Sequence, residues 1–324
     1  MIIKPMSTSN STITTISGAL RLSDWGLIRA EGPEAAKFLH GQLTQDFELL
    51  GPGEARLAGF CTAKGRLLAT LIGWKSGAET VDLALPLELL PAILKRLSMF
   101  VLRAKCKLRD ATAEQSLWGL SGTAAQAWLA EAAPAQRWGR QLSSSGASVV
   151  RLPDATSEAG PLPRFLLAQA AEAAAPALPE LPAADWQWQE VQAGLAWVRA
   201  ATSEAFVPQM LNLELLEGVN FKKGCYPGQE IVARSQYRGT LKRRTHLFEL
   251  AGSAQIGQEI FHSEDPEQPA GLVAAVAQRE GQSLLLAEVK IAALESGSLH
   301  LGAADGPALA ARALPYAIPL NSEV

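Results

Sequence analysis

Hydrophobic and polar positions alternate with two different periods along the first third of the chain. Short apolar runs bounded by turn residues predict strands. These runs cover residues 13–22, 26–30, 55–61, 66–74, 80–85 and 105–109. Apolar residues at helical spacing predict two helices, one opened by Gly32-Pro33 and one over Leu87–Phe100. Because strands surround the second helix, we expect a compact α+β unit over residues 55–110.

The pattern starts again near residue 115 and changes after Gly239. Strand-like and helical stretches alternate up to a helix that carries Trp186, with Asp185 as its expected cap. After Gly239, short apolar runs separated by Gly, Pro, Asp and Glu turns predict a small C-terminal β barrel or sandwich. The basic run Lys242-Arg243-Arg244 is expected to form a solvated face.

Length, charge and cysteine content narrow the class of protein. The chain has 324 residues, more than one ordinary core holds, so we expect two or three domains. A net charge of −3 gives no overall basic field, and we expect no direct contact with nucleic acid. No run of about 18 apolar residues and no leader pattern occur, which predicts a soluble cytoplasmic protein without membrane association. Cys61, Cys106 and Cys225 are too scattered for a disulfide framework or a local metal site, so we expect no bound metal.

The segment around Cys225 carries the strongest chemical signal. Gly224 and Gly228 flank the thiol and permit backbone conformations that side chains forbid. Lys222 and Lys223 precede it and a predicted helix follows, and both features favour the thiolate over a thiol of reference pKa about 8.5. The alternative is a small buried cysteine that only packs. That alternative is preferred for the other two cysteines, which lie in apolar strand-like runs.

The sequence of residues 221–234, FKKGCYPGQEIVAR, closely resembles the signature of the YgfZ family, relatives of the glycine cleavage T protein. Other segments similar to the family are residues 32–46, 63–66, 206–213 and 314–316, so the resemblance spans nearly the whole chain. It implies an α+β fold, a three-domain cloverleaf or ring of the T protein type with a small C-terminal β barrel. The expected domains are a discontinuous folate-binding N-terminal domain of residues 13–54 plus 111–238, an inserted α+β domain of residues 55–110, and a C-terminal β-barrel domain of residues 239–324.

The resemblance also implies a ligand, tetrahydrofolate or a folate derivative. The family's two folate-binding tryptophans correspond to Trp25 and Trp186, and an indole face suits stacking on a flat pterin. Without the resemblance, both tryptophans would be read as packing residues, as Trp197 is here. By the same likeness, Cys225 is the candidate reactive thiol with Lys223 beside it. The residues expected to support this motif are Gly224, Tyr226, Gly228, Gln229 and Glu230.

The function implied by the resemblance is support of iron–sulfur cluster assembly or repair in client enzymes, including enzymes that modify tRNA. Its partners would be folate and iron–sulfur enzymes or cluster-assembly proteins. One alternative is a folate-dependent aminomethyltransferase, a one-carbon transferase like the T protein. The acidic pair of that enzyme falls on Ala69 and Thr70, which cannot act as a base. A further alternative is a non-catalytic adaptor that retains folate, and the sequence leaves open whether any substrate is turned over.

Overall fold

The computed structural model describes residues 17–157, 160–237 and 241–319, so residues 13–16 of the first predicted strand lie outside it. The strands are β1 Gly18–Arg21, β2 Trp25–Glu31, β3 Ala55–Cys61, β4 Leu67–Gly77, β5 Thr80–Pro86, β6 Lys107–Asp110, β7 Gln115–Ser121, β8 Arg140–Leu142, β9 Ser148–Ser157, β10 Gly160–Ala170, β11 Arg243–Ala251, β12 Glu259–His262, β13 Asp265–Arg279, β14 Gln282–Lys290, β15 Leu299–Leu301 and β16 Ala310–Arg312. The helices are α1 Ala35–His40, α2 Leu90–Ser98, α3 Gly122–Leu129, α4 Ala183–Gln192 and α5 Gln229–Tyr237.

The sheet formed by residues 25–31 and 55–110 contains strands predicted by five of the six apolar runs of the first third, and the remaining run, residues 13–22, corresponds to β1 of another sheet. The five antiparallel strands from residues 25–31 and 55–110 have the order β3-β4-β5-β2-β6. Strand β2 lies between β5 and β6, so residues 25–31 share a sheet with strands from residues 55–110. Phe47, Phe60 and Trp74 are almost fully buried in its core, and burial of such large side chains is the main term that stabilises the sheet.

The first sheet has the order β1-β7-β10-β9-β8 and supports helix α4. The helix packs against β9 of this sheet and against β13 and β14 of the C-terminal sheet, so it lies between the two layers. Pro182 occupies the N-cap position of α4, and no side chain caps the helix with a hydrogen bond. Asp185 lies within the first turn. The prediction that Asp185 caps the helix is therefore wrong. Its carboxylate instead lies 3.4 Å from Arg279 of β13 and forms an ion pair with that guanidinium.

The C-terminal sheet has six strands in the order β15-β12-β13-β14-β11-β16, and its own apolar cluster forms the core beneath it. The prediction of a solvated face for residues 242–244 is wrong for Arg244, which is only 5% exposed. Its Nη1 lies 2.7 Å from the buried carboxylate of Glu214, and Arg243 pairs with Glu288. In the described part of the chain, no helix is long and apolar enough to span a lipid bilayer.

Candidate functional site

The Cys225 thiol lies on an exposed loop that ends where α5 begins at Gln229. The loop turns at Gly228, whose φ of +82° is a conformation that side chains rarely adopt. A Cβ on Gly228 would lie 2.6 Å from the Cα of Gly65 and nearer still to the carbonyl oxygen of Thr62. The backbone of the cysteine loop therefore packs directly on the turn between β3 and β4, and only glycine fits there.

We expect Gly228→Ala to displace this loop and to destabilise the protein. Gly146→Ala is the matched control, since Gly146 has the same φ of +82° but no atom within 4 Å of the position that a Cβ would take. Both variants carry the backbone strain, and only Gly228→Ala adds a clash, which costs about 1–3 kcal/mol more. Urea unfolding of both variants measures this difference. Equal free energies of unfolding would show that the contact with Gly65 does not constrain the loop.

Lys223 points into the protein and anchors the loop from below. Its Nζ donates hydrogen bonds to the carbonyl oxygen of Leu43, at 3.0 Å, and to that of His40. The same nitrogen lies 4.7 Å from the centre of the Tyr226 ring, a cation–π distance. Burial lowers the pKa of Lys223 to about 8, although the nearby acidic groups of Asp46 and Cys225 oppose the change. Lys223 is therefore a positioning residue beneath the loop that carries the thiol.

His40 and Asp46 complete the surroundings of the loop, and local spacing gave no sign of them. A Cβ on Gly224 would lie 3.2 Å from Nε2 of His40, while Nδ1 of His40 lies 3.0 Å from Oδ1 of Asp46. Burial by itself would raise the pKa of Asp46, but hydrogen bonds from the backbone N–H of Leu49 and from His40 lower it below its usual range. An imidazole and a carboxylate thus lie beside the residue that precedes the thiol.

The other residues of the predicted motif hold the loop in its conformation and do not form a second reactive group. Tyr226 is buried, and burial raises its pKa above the usual range. The side chain of Gln229 donates to the carbonyl oxygen of Lys223 at 3.5 Å. Glu230 is exposed in the first turn of α5, where a carboxylate is favourable. In the described ranges, no group of three or more His, Cys, Asp or Glu side chains is arranged to hold a metal ion.

The two predicted folate tryptophans lie elsewhere, and both are buried. Trp25 packs edge-on against Trp197, with ring centres 4.8 Å apart and planes at 86°. The Trp186 ring lies on Gly119 of β7, and the guanidinium carbon of Arg164 is 4.2 Å from its centre. Nε1 of Trp186 has no hydrogen-bond partner among the described residues. No hydrogen bond, ion pair or ring contact of the described residues joins either tryptophan to Cys225.

A cavity of about 750 Å³ lies beside α4, where that helix faces the C-terminal sheet and the end of β5. Its lining residues are Asp24, Leu87, Glu88, Gln187, Glu190, Val191, Leu195, Trp197, Arg199, Ala201, Ile256, Ala275 and Val276. The pairing of β13 with β14 shifts register between Val273 and Ala275, and such a bulge turns the following side chains toward the cavity. Trp197, which the sequence suggested was packing, is the aromatic residue of this wall.

Glu190 and Arg164 connect both predicted tryptophans to the cavity. Nε1 of Trp197 donates to Oε1 of Glu190 at 3.0 Å, and Nη2 of Arg164 lies 3.5 Å from the same oxygen. Trp25 supports Trp197, and Trp186 supports Arg164. Burial lowers the pKa of Arg164 to about 10, and burial raises the pKa of Glu190 despite the cation beside it. The ion pair is thus held in surroundings of low polarity, where charges act strongly on a ligand.

A second cavity, of about 690 Å³, lies near the far end of α4 and beside Tyr316. Its two arginines are already paired within the protein. Arg137 lies 2.5 Å from the carboxylate of Glu217, and Arg151 lies 2.7 Å from that of Asp154. Arg199 of the first cavity is paired with an exposed carboxylate in the same way, so paired arginines do not separate the two cavities. The cavity beside Glu190 is the stronger candidate for a binding site because its wall combines the Trp197 ring with the buried pair of Glu190 and Arg164.

Comparison with known proteins places the chain in a family. No family model matches it. The "tRNA-modifying protein YgfZ" of Yersinia enterocolitica is 32% identical over 270 residues, which cover 79% of this chain and 78% of that protein. The protein of the same name from Serratia proteamaculans is 33% identical over 260 residues, covering 78% of this chain and 74% of that protein.

Among solved structures, the glycine cleavage system aminomethyltransferase T from Bartonella henselae is similar in fold. Its TM-score is 0.72 at 19% sequence identity, over 92% of this chain and 86% of that chain. The mixed helix and strand fold is thus of the T protein type, and the relation inferred from the cysteine motif is confirmed. By its identity to these relatives and its coverage of them, the chain belongs to the YgfZ family.

Proposed function

We propose that the chain binds tetrahydrofolate or a folate derivative beside α4 and supports iron–sulfur cluster assembly or repair in client enzymes, including tRNA-modifying ones. The observation that carries the proposal is the cavity of about 750 Å³ walled by Trp197 and Glu190. Small-molecule sites have volumes of about 300–1,000 Å³, with apolar walls and few polar groups. The relatives' name, "tRNA-modifying protein", and the aminomethyltransferase fold support this assignment.

The lining residues fit the parts of a folate. Apolar side chains such as Val191, Leu195 and Val276 suit the faces of a flat pterin, and Trp197 adds an aromatic wall. Arg199 suits the carboxylates of the glutamate tail, since its present partner Asp24 is an exposed carboxylate 3.2 Å away. Trp25 and Trp186 would not touch the ligand. They would pack against Trp197 and Arg164 and hold these two side chains in place.

The domain arrangement is part of the same proposal. We assign residues 13–54 plus 111–238, 55–110 and 239–324 to three domains arranged as a ring, with the C-terminal sheet closed as a small β barrel. The three sheets support this division, since each has its own set of strands. Strand β2 crosses from the first unit into the sheet of the second, so the first two domains would be joined by main-chain hydrogen bonds.

Cys225 and Lys223 would serve the client enzyme. The thiol is exposed, and Lys223 and Gly228 fix its loop, so a partner protein can approach the sulfur without unfolding the site. A single cysteine cannot hold a cluster, which several thiolates usually bind. Direct contact with tRNA is disfavoured, because Arg243 and Arg244 are committed to internal carboxylates. The partner of this surface would therefore be an iron–sulfur enzyme or a cluster-assembly protein.

Aminomethyl transfer is disfavoured by the residues at the T protein's acidic positions. Ala69 and Thr70 are buried in β4, and the Thr70 hydroxyl accepts a hydrogen bond from the backbone N–H of Val198 at 2.9 Å. Neither side chain can carry negative charge beside a reacting nitrogen. The purified protein is therefore proposed to bind folate without transferring an aminomethyl group to a lipoylated carrier.

Titration with tetrahydrofolate tests the binding site. We expect saturable quenching of tryptophan fluorescence in the wild type, with binding weakened by about 1–3 kcal/mol in Trp197→Ala because the aromatic wall is lost. Trp25→Phe and Trp186→Phe should weaken binding less, since a smaller ring still supports the wall. Trp128→Ala is the control, because Trp128 is exposed on α3 outside the cavity. Absence of saturable quenching in the wild type would contradict the proposed ligand.

A further inference from the structure

The carboxylate of Glu190 is used on one side only. Both protein partners, Nε1 of Trp197 and Nη2 of Arg164, approach Oε1, at 3.0 and 3.5 Å. Oε2 has no hydrogen-bond donor among the described residues, and it is not among the buried side-chain atoms that are sealed from solvent. Glu190 lines the cavity beside α4. Its carboxylate is largely buried, and Oε2 is the oxygen that a ligand in the cavity can reach.

The charge of this carboxylate is already balanced within the protein. Arg164 is fully buried, and its Nε and Nη2 make no hydrogen bond with described residues. The guanidinium therefore serves as a fixed counter-charge to Glu190, and a cationic ligand is not needed. Oε2 of Glu190 therefore favours a neutral ligand group with N–H donors, because a buried acceptor without a hydrogen bond costs free energy.

The shape of the wall restricts which neutral group can reach Glu190. The carboxylate lies beside the Trp197 indole, and the bulged part of β13 contributes Ala275 and Val276 to the same cavity. A flat ring can enter edge-first between such apolar surfaces. A ring edge with a carbonyl oxygen would be repelled, while a ring N–H next to an exocyclic amine offers two donors to the open Oε2, which has two lone pairs to accept them.

We propose that Glu190 is the specificity residue of the folate site and accepts hydrogen bonds from the 2-amino and ring N–H groups of the pterin's pyrimidine edge. This inference rests on the proposed function. It fixes the orientation of the ligand, with the pyrimidine edge at Glu190 and the glutamate tail toward Arg199 at the open side. Arg164 and Trp186 are then positioning residues that act through Glu190.

A pterin ligand without the 2-amino group distinguishes loss of a specific hydrogen bond to Glu190 from a general loss of fold. Calorimetric titration would compare tetrahydrofolate with its 2-desamino analogue on the wild type, Glu190→Gln and Glu180→Gln. The last variant is the control, since it makes the same substitution at an exposed glutamate. We expect the wild type to prefer tetrahydrofolate about 10-fold or more, the usual effect of one charge-assisted hydrogen bond. Glu190→Gln should lose that preference, and Glu180→Gln should keep it.

The outcomes distinguish the inference from the proposed function. If Glu190→Gln weakens both ligands equally, Glu190 has only a structural role and the inference is overturned. If the wild type binds both ligands equally well, the inference is also overturned, while the proposed function stands. If the wild type binds neither ligand, the proposed function itself fails. The melting temperature of each variant shows whether a loss of binding reflects loss of fold.

Discussion

Replacing Cys225 with serine is expected to abolish the proposed support of iron–sulfur clients and to leave the proposed tetrahydrofolate binding unchanged. Serine has nearly the same shape, but its hydroxyl neither ionises at neutral pH nor ligates iron as a thiolate does. The thiol is exposed, and no contact of the described residues links it to Glu190 or Trp197. In a strain without its own copy of the protein, the tRNA nucleoside made by an iron–sulfur enzyme should fall to the level of the empty strain.

Cys106→Ser is the matched control for this experiment. Cys106 is half-buried, and burial raises its pKa to about 11, so it holds little thiolate at neutral pH. Mass spectrometry of the modified nucleoside should show full support from Cys106→Ser. If Cys225→Ser also gives full support, the thiol takes no part and the protein is better described as a folate-retaining adaptor.

Arg244→Met is expected to destabilise the protein by about 3–5 kcal/mol, the usual cost of removing one partner from a buried ion pair. Nη1 of Arg244 lies 2.7 Å from Oε1 of Glu214 and donates to Oδ1 of Asn212 at 2.9 Å. Both charged side chains are 6% exposed, so water cannot replace the lost cation. The change would loosen β11 from the segment that precedes the cysteine motif, and chemical denaturation measures the loss.

The deficit of Arg244→Met should depend on pH in a defined direction. Burial raises the pKa of Glu214 even with Arg244 present, and removal of Arg244 would raise it further. The folded state then binds more protons than the unfolded state above the ordinary carboxyl pKa of about 4.3, so stability falls as pH rises through this window. We therefore expect a smaller deficit at pH 5 than at pH 7.

An exposed arginine gives the control for the ion-pair argument. Arg312 pairs with Glu249 at the surface, with side chains 58% and 29% exposed. Surface pairs contribute about 0–1 kcal/mol, so Arg312→Met should be nearly neutral. Equal losses in Arg244→Met and Arg312→Met would show that burial of the first pair does not matter.

Local pattern was enough to predict most of the strands and the cysteine loop. Apolar residues recur every two positions along a half-buried strand and about every 3.6 positions along a half-buried helix. This pattern can be read from neighbouring residues in the sequence. The glycines around Cys225 likewise indicated a sharp turn, and Gly228 has the positive φ that such a turn requires. The prediction for the N-terminus of α4 is wrong, because Pro182 directly precedes the first helical residue and Asp185 instead pairs with Arg279 on another sheet.

Contacts between distant segments could not be predicted in this way. His40 and Asp46 approach the cysteine loop across about 180 residues of chain, and no local spacing encodes that approach. Arg244 looked solvated within a basic run, but its partner Glu214 lies on a separate segment. Trp197 resembled a packing residue because its role depends on a cavity that α4 and β13 form together.

The crystal structure of the complex with tetrahydrofolate tests the central claim most directly. We expect the pteridine in the cavity beside α4, with its ring against Trp197, its 2-amino edge within hydrogen-bond distance of Glu190, and its tail toward Arg199. Ligand density in the cavity beside Tyr316, or on the surface next to Cys225, with the cavity beside Glu190 left to solvent, would contradict the proposed site.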